Sequence, residues 1–345
     1  MFKQEAFKEN LIDWFDENQR QMPWRETSDP YAIWVSEVML QQTQVDTVRD
    51  YYKRFMDRFP HIMSLAEAQE DEVLKYWEGL GYYSRARNFH IAAKEVVNHY
   101  GGVIPKDPQQ FKALKGVGPY TQAAVLSIAF DTPLPTVDGN VFRVWSRLNN
   151  DRLDTALPQT RKTYELQLKP YVKMHSGTFN QAMMELGALI CTPKAPLCLF
   201  CPVQVHCEAY HEGTVLELPV KTKKMKKASL DMDVYIIQGD SGDYLIEKRQ
   251  ERLLNGMWQF PLFNKSDGID TVKKRLGNSF KIERENIYRL KHQFTHMTWN
   301  LKVHIATLSN DDLKQLPNQY RLMSLDEKQA LTFPVPMTKI FNAIQ

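Results

Sequence analysis

Apolar residues recur every three or four positions up to about residue 210, the period of a helix with one buried face. Tyr31, Trp34, Val35, Val38 and Val45 fall on one such face. Leu65, Ala68, Val73, Leu74 and Trp77 fall on another, and the pattern returns over 89–100. Helix-ending residues interrupt it often: Gly79-Leu80-Gly81, Gly101-Gly102, Pro105, Pro133 and Pro135. The pattern predicts a many-helix domain with short connections. After Leu230 the period shortens to two. Asp231 to Ile237 begins in alternation, Gly239 to Asp243 are turn residues, and Tyr244-Leu245-Ile246 is a second apolar run. That predicts a hairpin. Trp299 to Ile305 alternates again, so residues 230–345 read as an α+β domain. The stretch 211–229 holds Lys221, Lys223, Lys224, Lys226 and Lys227 and reads as a linker. No internal repeat is visible.

Composition narrows the class without choosing a function. A chain of 345 residues, 43% hydrophobic and 25% charged, has room for two ordinary cores. A net charge of +3 is too small to point to nucleic acid by itself. The first twenty residues are charged throughout and no apolar run is long enough to span a bilayer. No membrane partner is expected, and the expected place is the cytoplasm, on the nucleoid in a bacterium.

All four cysteines lie in one loop: Cys191, Cys198, Cys201 and Cys207, separated by six, two and five residues. Four thiolates so close in sequence can surround a metal centre without help from distant parts of the fold. Pro193, Pro196 and Pro202 stiffen the loop. Zinc is more usually held by two Cys-x-x-Cys pairs across a longer loop. A single such pair flanked by wider gaps suits the four corners of a 4Fe–4S cubane. Zinc is the competing occupant. Four unrelated buried thiols or two disulfides are the non-metal readings; the other 328 positions hold no cysteine, and no secretion signal supports disulfides.

Three further stretches carry chemistry. In Leu114 to Thr121, Gly116 and Gly118 permit a tight turn with bare N–H groups, and Pro119 suits the first position of the next helix. Such amides can hold a DNA backbone phosphate without reading sequence; a plain turn between helices looks the same. Asp138 stands where a helix begins. It is either a helix cap or a carboxylate, kept ionised by the helix dipole, that stabilises a developing cation. Glu37 is the one acid between Trp34 and Thr43. It is either a solvent-facing glutamate or, if buried, an acid that keeps its proton to higher pH. Together Glu37 and Asp138 would be the two-carboxylate pair that cleaves glycosidic bonds through an oxocarbenium-like transition state.

In this order the pieces resemble the helix–hairpin–helix DNA glycosylases of the endonuclease III superfamily, and within it the MutY branch of adenine DNA glycosylases. The likeness covers essentially the whole chain. It is carried by Pro23-Trp24-Arg25, Ser36 to Thr43, Trp77 to Asn88, Gly116 to Thr121, Val137 to Val141 and Phe179 to Met183. It implies a mostly α glycosylase domain over 1–210, with the helix–hairpin–helix at about 112–130 and a 4Fe–4S loop at 191–207. A basic linker over 211–229 and a MutT-like (Nudix-type) α+β domain over 230–345 would follow. The implied activity is hydrolysis of the N-glycosidic bond of adenine mispaired with 8-oxoguanine or guanine. The partner is duplex DNA, the base is flipped out of the stack, the cofactor is one 4Fe–4S cluster, and the enzyme acts as a monomer.

The resemblance also implies roles. Glu37 would protonate adenine at N7 as the base leaves. Asp138 would stabilise, or transiently bond to, the sugar C1′, with Tyr120 and Asn140 orienting Asp138 and the sugar. Trp24, Arg25 and Gln181 would line the base pocket. Gln42 and Tyr82 would wedge into the duplex around the opposing damaged base, with Leu40, Thr43 and Leu80 close by, while Gly116 and Gly118 hold the backbone. Relatives with strong lyase activity have a lysine where this chain has Tyr120, and some MutY proteins have one where this chain has Phe142. A monofunctional, water-using glycosylase is therefore expected. Arg252 to Pro261 is similar to the start of a Nudix-type fold, but Asp270 to Gly277 lacks the carboxylates that would hold magnesium. That domain is expected to recognise 8-oxoguanine through Phe294-Thr295-His296, with Thr295 in place of a more usual serine. The alternatives are an oxidised-pyrimidine glycosylase with lyase activity and a non-catalytic iron–sulfur DNA-binding protein. Tyr120 disfavours the first and the paired carboxylates the second. The missing Nudix carboxylates disfavour a nucleotide pyrophosphatase.

Overall fold

A computed structural model describes residues 2–222 and 228–345. The chain divides into two bodies, Met1–Ala68 with Ser84–Lys224, and Gln69–Tyr83 with Met225–Gln345. The first is helical. Helices α1 (Phe2–Asn18), α2 (Pro30–Leu40), α3 (Val45–Arg58) and α4 (Ile62–Glu67) come before the segment that belongs to the second body, which carries α5 (Glu70–Tyr76). Then follow α6 (Ser84–Tyr100), α7 (Pro108–Ala113), α8 (Pro119–Phe130), α9 (Gly139–Leu148), α10 (Pro158–Leu168), α11 (Ser176–Leu189) and α12 (Glu208–His211).

Caps set the starts of the helices that matter. The Asp29 carboxylate accepts from the Tyr31 N–H and Pro30 takes the first helical position of α2. Helix α2 is apolar on all sides and is buried from Tyr31 to Met39. Its end is fastened by Arg85, whose Nη1 donates to the carbonyls of Val38, Met39 and Gln41 at 2.8, 2.9 and 2.5 Å. A cation on the last carbonyls of a helix satisfies groups that have no partner within it. Phe7, Leu11 and Phe15 of α1, Val144 and Trp145 of α9, and Phe179, Met183 and Leu186 of α11 form one core. Cys191, Cys201 and Cys207 pack against its edge.

The second body is α+β, as its alternating runs predict. Strands β1 (Ala228–Ile237), β2 (Tyr244–Lys248), β3 (Trp258–Gln259) and β4 (Leu262–Asn264) precede α13 (Gly268–Leu276). Strands β5 (Lys281–Gln293) and β6 (Met297–Thr307), α14 (Asn310–Gln315), β7 (Tyr320–Met323) and α15 (Val335–Ile344) complete it. The sheet orders are β4-β1-β6-β5 and β3-β2-β7. The expected hairpin of β1 with β2 does not form. Both edges of β1 are taken, by β4 antiparallel and by β6 parallel, so the turn at Gly239–Asp243 carries the chain into the other sheet. A single bridge, Gln238 to Tyr244, remains of that pairing.

The linker expected over 211–229 is shorter among the described residues. The chain stays on the first body through Thr222, because Val220 O accepts from the Thr155 N–H at 3.0 Å and the Asp154 carboxylate accepts from the Thr222 N–H at 3.2 Å. Lys223, Lys224, Lys226 and Lys227 lie outside the described residues. Among the described residues, no helix is long and apolar enough to cross a membrane.

Candidate active site

A cleft of about 240 Å³ opens in the first body between α2, α8, the start of α9 and α11. Glu37, Tyr120, Asp138 and Asn140 line it, as do Trp24, Arg25, Leu40, Thr43 and Gln181. Each arrives from a different local constraint. Glu37 rides on buried α2 and is 5% exposed. Trp24 and Arg25 sit on a short 3₁₀ turn started by Pro23, with Trp24 buried edge-on to Tyr52 at 5.2 Å. Tyr120 is the second residue of α8, and Gln181 lies on α11. Asp138 caps α9: one carboxylate oxygen accepts from the Val141 N–H at 2.7 Å and the other from Asn140 Nδ2 at 3.1 Å.

The two acids differ in setting. Burial pushes the Glu37 carboxyl up to about 7; nearby Asp138 adds to this, while the Tyr120 hydroxyl and Arg25 act against it. Tyr120 donates to Glu37 Oε2 at 2.7 Å. Burial first, then both carboxylates, hold the phenol far above its ordinary value, so it stays a donor. Burial also raises Asp138, against the hydrogen bonds from Val141 and Asn140. Those donors favour its charged form. The arrangement is one acid able to hold a proton near neutrality beside one carboxylate that accepts two hydrogen bonds.

Sequence reasoning missed the support of this pair. Glu185, 2% exposed, lines the same cleft and is held by Arg20 at 2.7 Å and Arg25 at 3.1 Å. Hydrogen bonds from Arg20 and Arg25 overcome burial and hold its carboxyl down, at about 2. The available signal was an acid four residues after Gln181, the only charged residue of α11. Glu185→Ala strands two cations, one of them 13% exposed, and is expected to cost about 3 kcal/mol in urea unfolding at neutral pH. The pair's contribution is present above the ordinary carboxylate value of 4.5 and is lost as pH falls toward 2.

Asn140 is itself held. Its Oδ1 accepts from Arg143 Nη2 at 2.8 Å, and the same guanidinium reaches Gly187 O at 2.8 Å and, through Nε, Cys191 O at 2.7 Å. Helix α11 passes so near that a Cβ on Gly187 would lie 2.6 Å from Asn140 Cβ. Gly187→Ala is expected to lower stability by about 1–3 kcal/mol. It should also slow turnover at temperatures well below its Tm, because the methyl displaces the residue that holds Asp138. Thermal unfolding and a rate measured in the cold separate the two effects.

The four cysteines are free and line one apolar cavity with Val144, Leu148, Leu186 and Ile190. Among the described residues, no three His, Cys, Asp or Glu side chains are grouped closely enough to hold a single metal ion. What the structure offers a metal group is the donor set: four partly buried free thiols that border this cavity. Arg147 Nη1 donates to Cys191 Sγ at 3.2 Å. Burial pushes the Cys201 thiol up to about 12, so a bound metal would have to draw off its proton.

Other expected residues lie apart from the cleft. Gly116 has φ 78°, and a Cβ there would meet Asn88 Cβ at 2.6 Å. Gly118, with φ −88°, is extended with open space beside it, so the turn demands glycine at only the first of the two. Gln42 is exposed with φ 58° at the end of α2. Leu80 and Tyr82 belong to the second body; Leu80 is 6% exposed, whereas Tyr82 is 43% exposed with φ 50°. Thr295 and His296 are exposed at the turn between β5 and β6, and Phe294 packs on Trp299 at 4.9 Å. Thr295 Oγ1 lies 2.6 Å from the Tyr82 hydroxyl.

Two family models match the chain: HhH-GPD superfamily base excision DNA repair protein over residues 35–170, and NUDIX domain over residues 233–343. Fold and cleft therefore define a protein of the helix–hairpin–helix HhH-GPD class followed by a Nudix-type domain. A mouse protein named adenine DNA glycosylase is 46% identical over 227 residues, a match that covers 62% of this chain and only 44% of that protein. One of the same name from Buchnera aphidicola subsp. Baizongia pistaciae is 33% identical over 360 residues, covering 99% of this chain and 97% of that one. The chain belongs to the adenine DNA glycosylase family. A solved structure of a thermostable thymine-DNA glycosylase is also similar, at TM-score 0.56 and 29% identity, covering 61% of this chain and 97% of that one.

Proposed function

We propose that the protein hydrolyses the N-glycosidic bond of adenine mispaired with 8-oxoguanine, or with guanine, in duplex DNA. The observation that carries this reading is the pairing, in one cleft, of a buried Glu37 pushed up to about 7 with an Asp138 that accepts hydrogen bonds from Val141 and Asn140. In the reaction Glu37 gives its proton to N7 of the leaving adenine while Tyr120 holds its other oxygen. As the bond lengthens, positive charge grows on the sugar, and Asp138 opposes it from the cap of α9. Water then bonds to C1′, and the proton it releases restores the Glu37 carboxyl that gave its own to adenine. No amine stands at position 120 to do so, and the same is true of Phe142. The DNA strand should stay intact.

The four cysteines would hold a 4Fe–4S cluster. When bound, it supplies a cross-link that fixes the loop and, through Arg143 and Asn140, the cap of α9. In the second body the hydroxyls of Tyr82 and Thr295 lie at an exposed tip suited to a polar base edge. Its buried Glu247 is paired with Arg275 at 2.5 Å, so this acid is already neutralised by a cation of the chain itself, in keeping with recognition rather than hydrolysis.

Borohydride trapping and strand-nicking assays distinguish this reading from the lyase alternative. With an adenine:8-oxoguanine duplex, free adenine and an uncut abasic strand are expected. A robust trapped adduct on a thymine glycol duplex would replace the reading with the lyase.

A further inference from the structure

Strands β5 and β6 form the hairpin whose turn holds Phe294, Thr295 and His296, and their register sets which side chains share a face. Arg289 lies directly opposite Lys302, Lys291 opposite Asn300 and Gln293 opposite Thr298, so these side chains point to one side of the sheet. The alternate residues Tyr288, Leu290, Trp299, Leu301 and Val303 point to the other side, into the core that α15 completes. Away from the turn, the first side is covered: Tyr235, Ile237 and Ala306 pack under Val272 and Leu276 of α13. Toward the turn it is open. Arg289, Lys291 and Gln293 are exposed, Lys302 is half-buried, and β5 is the outermost strand of its sheet.

Three cations gathered on one open face cost stability. Like charges directly across an antiparallel pair repel, and Arg289 with Lys302 is such a pair. Other cations of this body have acids beside them: Arg275 is paired with Glu247, Lys281 with Glu283 and Arg321 with Glu327. Among the described residues, the side chains of Arg289, Lys291 and Lys302 make no ion pair and no hydrogen bond. The acids nearest them in register stand on β1 and are engaged there. Asp231 accepts from Asn300 Nδ2 at 2.8 Å, and Asp233 lies 3.1 Å from His304 Nε2. Glu285 falls in the irregular part of β5, toward Tyr235 at the covered end.

We infer that this face binds the DNA backbone: Arg289, Lys291 and Lys302 hold phosphates of the strand whose base meets the turn at Thr295 and His296. Arg289 and Lys291 stand about 7 Å apart along β5, with Lys302 about 5 Å to the side, so the cations form a short track that leads to the exposed turn. A polyanion removes the repulsion among them, which a neutral partner would leave in place. Contacts of this kind fix where the duplex lies without reading its sequence. The inference rests on the proposed role of the turn in meeting the base opposite adenine, and it adds the surface that brings the strand there.

The test measures how tightly the full chain binds a duplex with an uncleavable tetrahydrofuran abasic site opposite 8-oxoguanine, as salt rises from about 50 to about 200 mM. Arg289→Gln, Lys291→Gln and Lys302→Gln are combined in one variant. At about 0.9 for each phosphate lost, its plot of log affinity against log salt should be shallower than that of the wild type by about 2.7, so the gap between the two proteins narrows roughly fortyfold over that range. A second variant combines Arg289→Lys, Lys291→Arg and Lys302→Arg; it keeps the charge and should keep the wild-type slope. Single-turnover adenine release at saturating protein should match the wild type in both, which also shows that both fold. An unchanged slope in the glutamine variant overturns the inference and is the result expected of a face that serves an acidic protein instead. Equal loss of slope in both variants overturns it as well, because packing rather than charge then accounts for the loss. A wild-type protein that releases no adenine overturns the functional reading; one that releases adenine while the glutamine variant keeps its slope overturns the inference alone.

Discussion

Glu37→Gln is expected to cut single-turnover adenine release by about 10³-fold while leaving duplex binding in place. Glutamine fills the same volume in α2 and still offers an oxygen to the Tyr120 hydroxyl, so the cleft keeps its shape. It has no proton to give. The base then has to leave as an anion, and the cationic side chains of the cleft, Arg20 and Arg25, are already paired with Glu185. The wild-type rate should be steady in mild acid and fall as pH rises through about 7, where Glu37 loses its proton. The glutamine variant should lack that fall. Stability follows the same sign. Because burial raises the folded value above the ordinary 4.5, the favourable protonated state is fully present below 4.5 and its contribution is lost as pH rises through about 7. Denaturation of wild type against the variant between pH 5 and 8 checks this: only the wild type should weaken across that interval on account of position 37.

Asp138→Asn is expected to lower the rate by a similar factor, about 10³, for a different reason. Asparagine is as good a helix cap as aspartate, so its side-chain oxygen can keep the bond from the Val141 N–H and α9 starts at the same place. What goes is the negative charge opposite the sugar, together with the bond from Asn140 Nδ2, since the new amide nitrogen is itself a donor. Unfolding in urea should show little change, and circular dichroism should be that of the wild type. This substitution separates the two readings that Asp138 allows. A cap alone survives the change, whereas a carboxylate that stabilises a cation does not. Retained turnover in Asp138→Asn would assign the residue to the cap only.

What the sequence revealed and what it hid have physical causes. Helices were legible because their apolar period and their caps are local: Asp138 announces α9 by itself. The chemistry at Glu37 and Asp138 was legible as residue types, but burial decides between a surface acid and a proton donor, and burial is a property of the fold. Glu185 was hidden for the same reason, since its partners Arg20 and Arg25 lie 165 and 160 residues away. Pairing of strands is equally non-local. Alternation located β1, yet its partners came from residues 262–264 and 297–306, so the neighbouring run in sequence was the wrong one. Gly118 looked like part of a glycine-dependent turn, and only its φ shows that the turn rests on Gly116.

The central claim is tested most directly by mixing excess wild-type protein with duplexes holding one adenine opposite 8-oxoguanine and identifying the base released in a single turnover. Free adenine, from a strand that breaks only when the abasic site is treated with alkali, is the predicted result. No adenine release, or release of another base in its place, would contradict it.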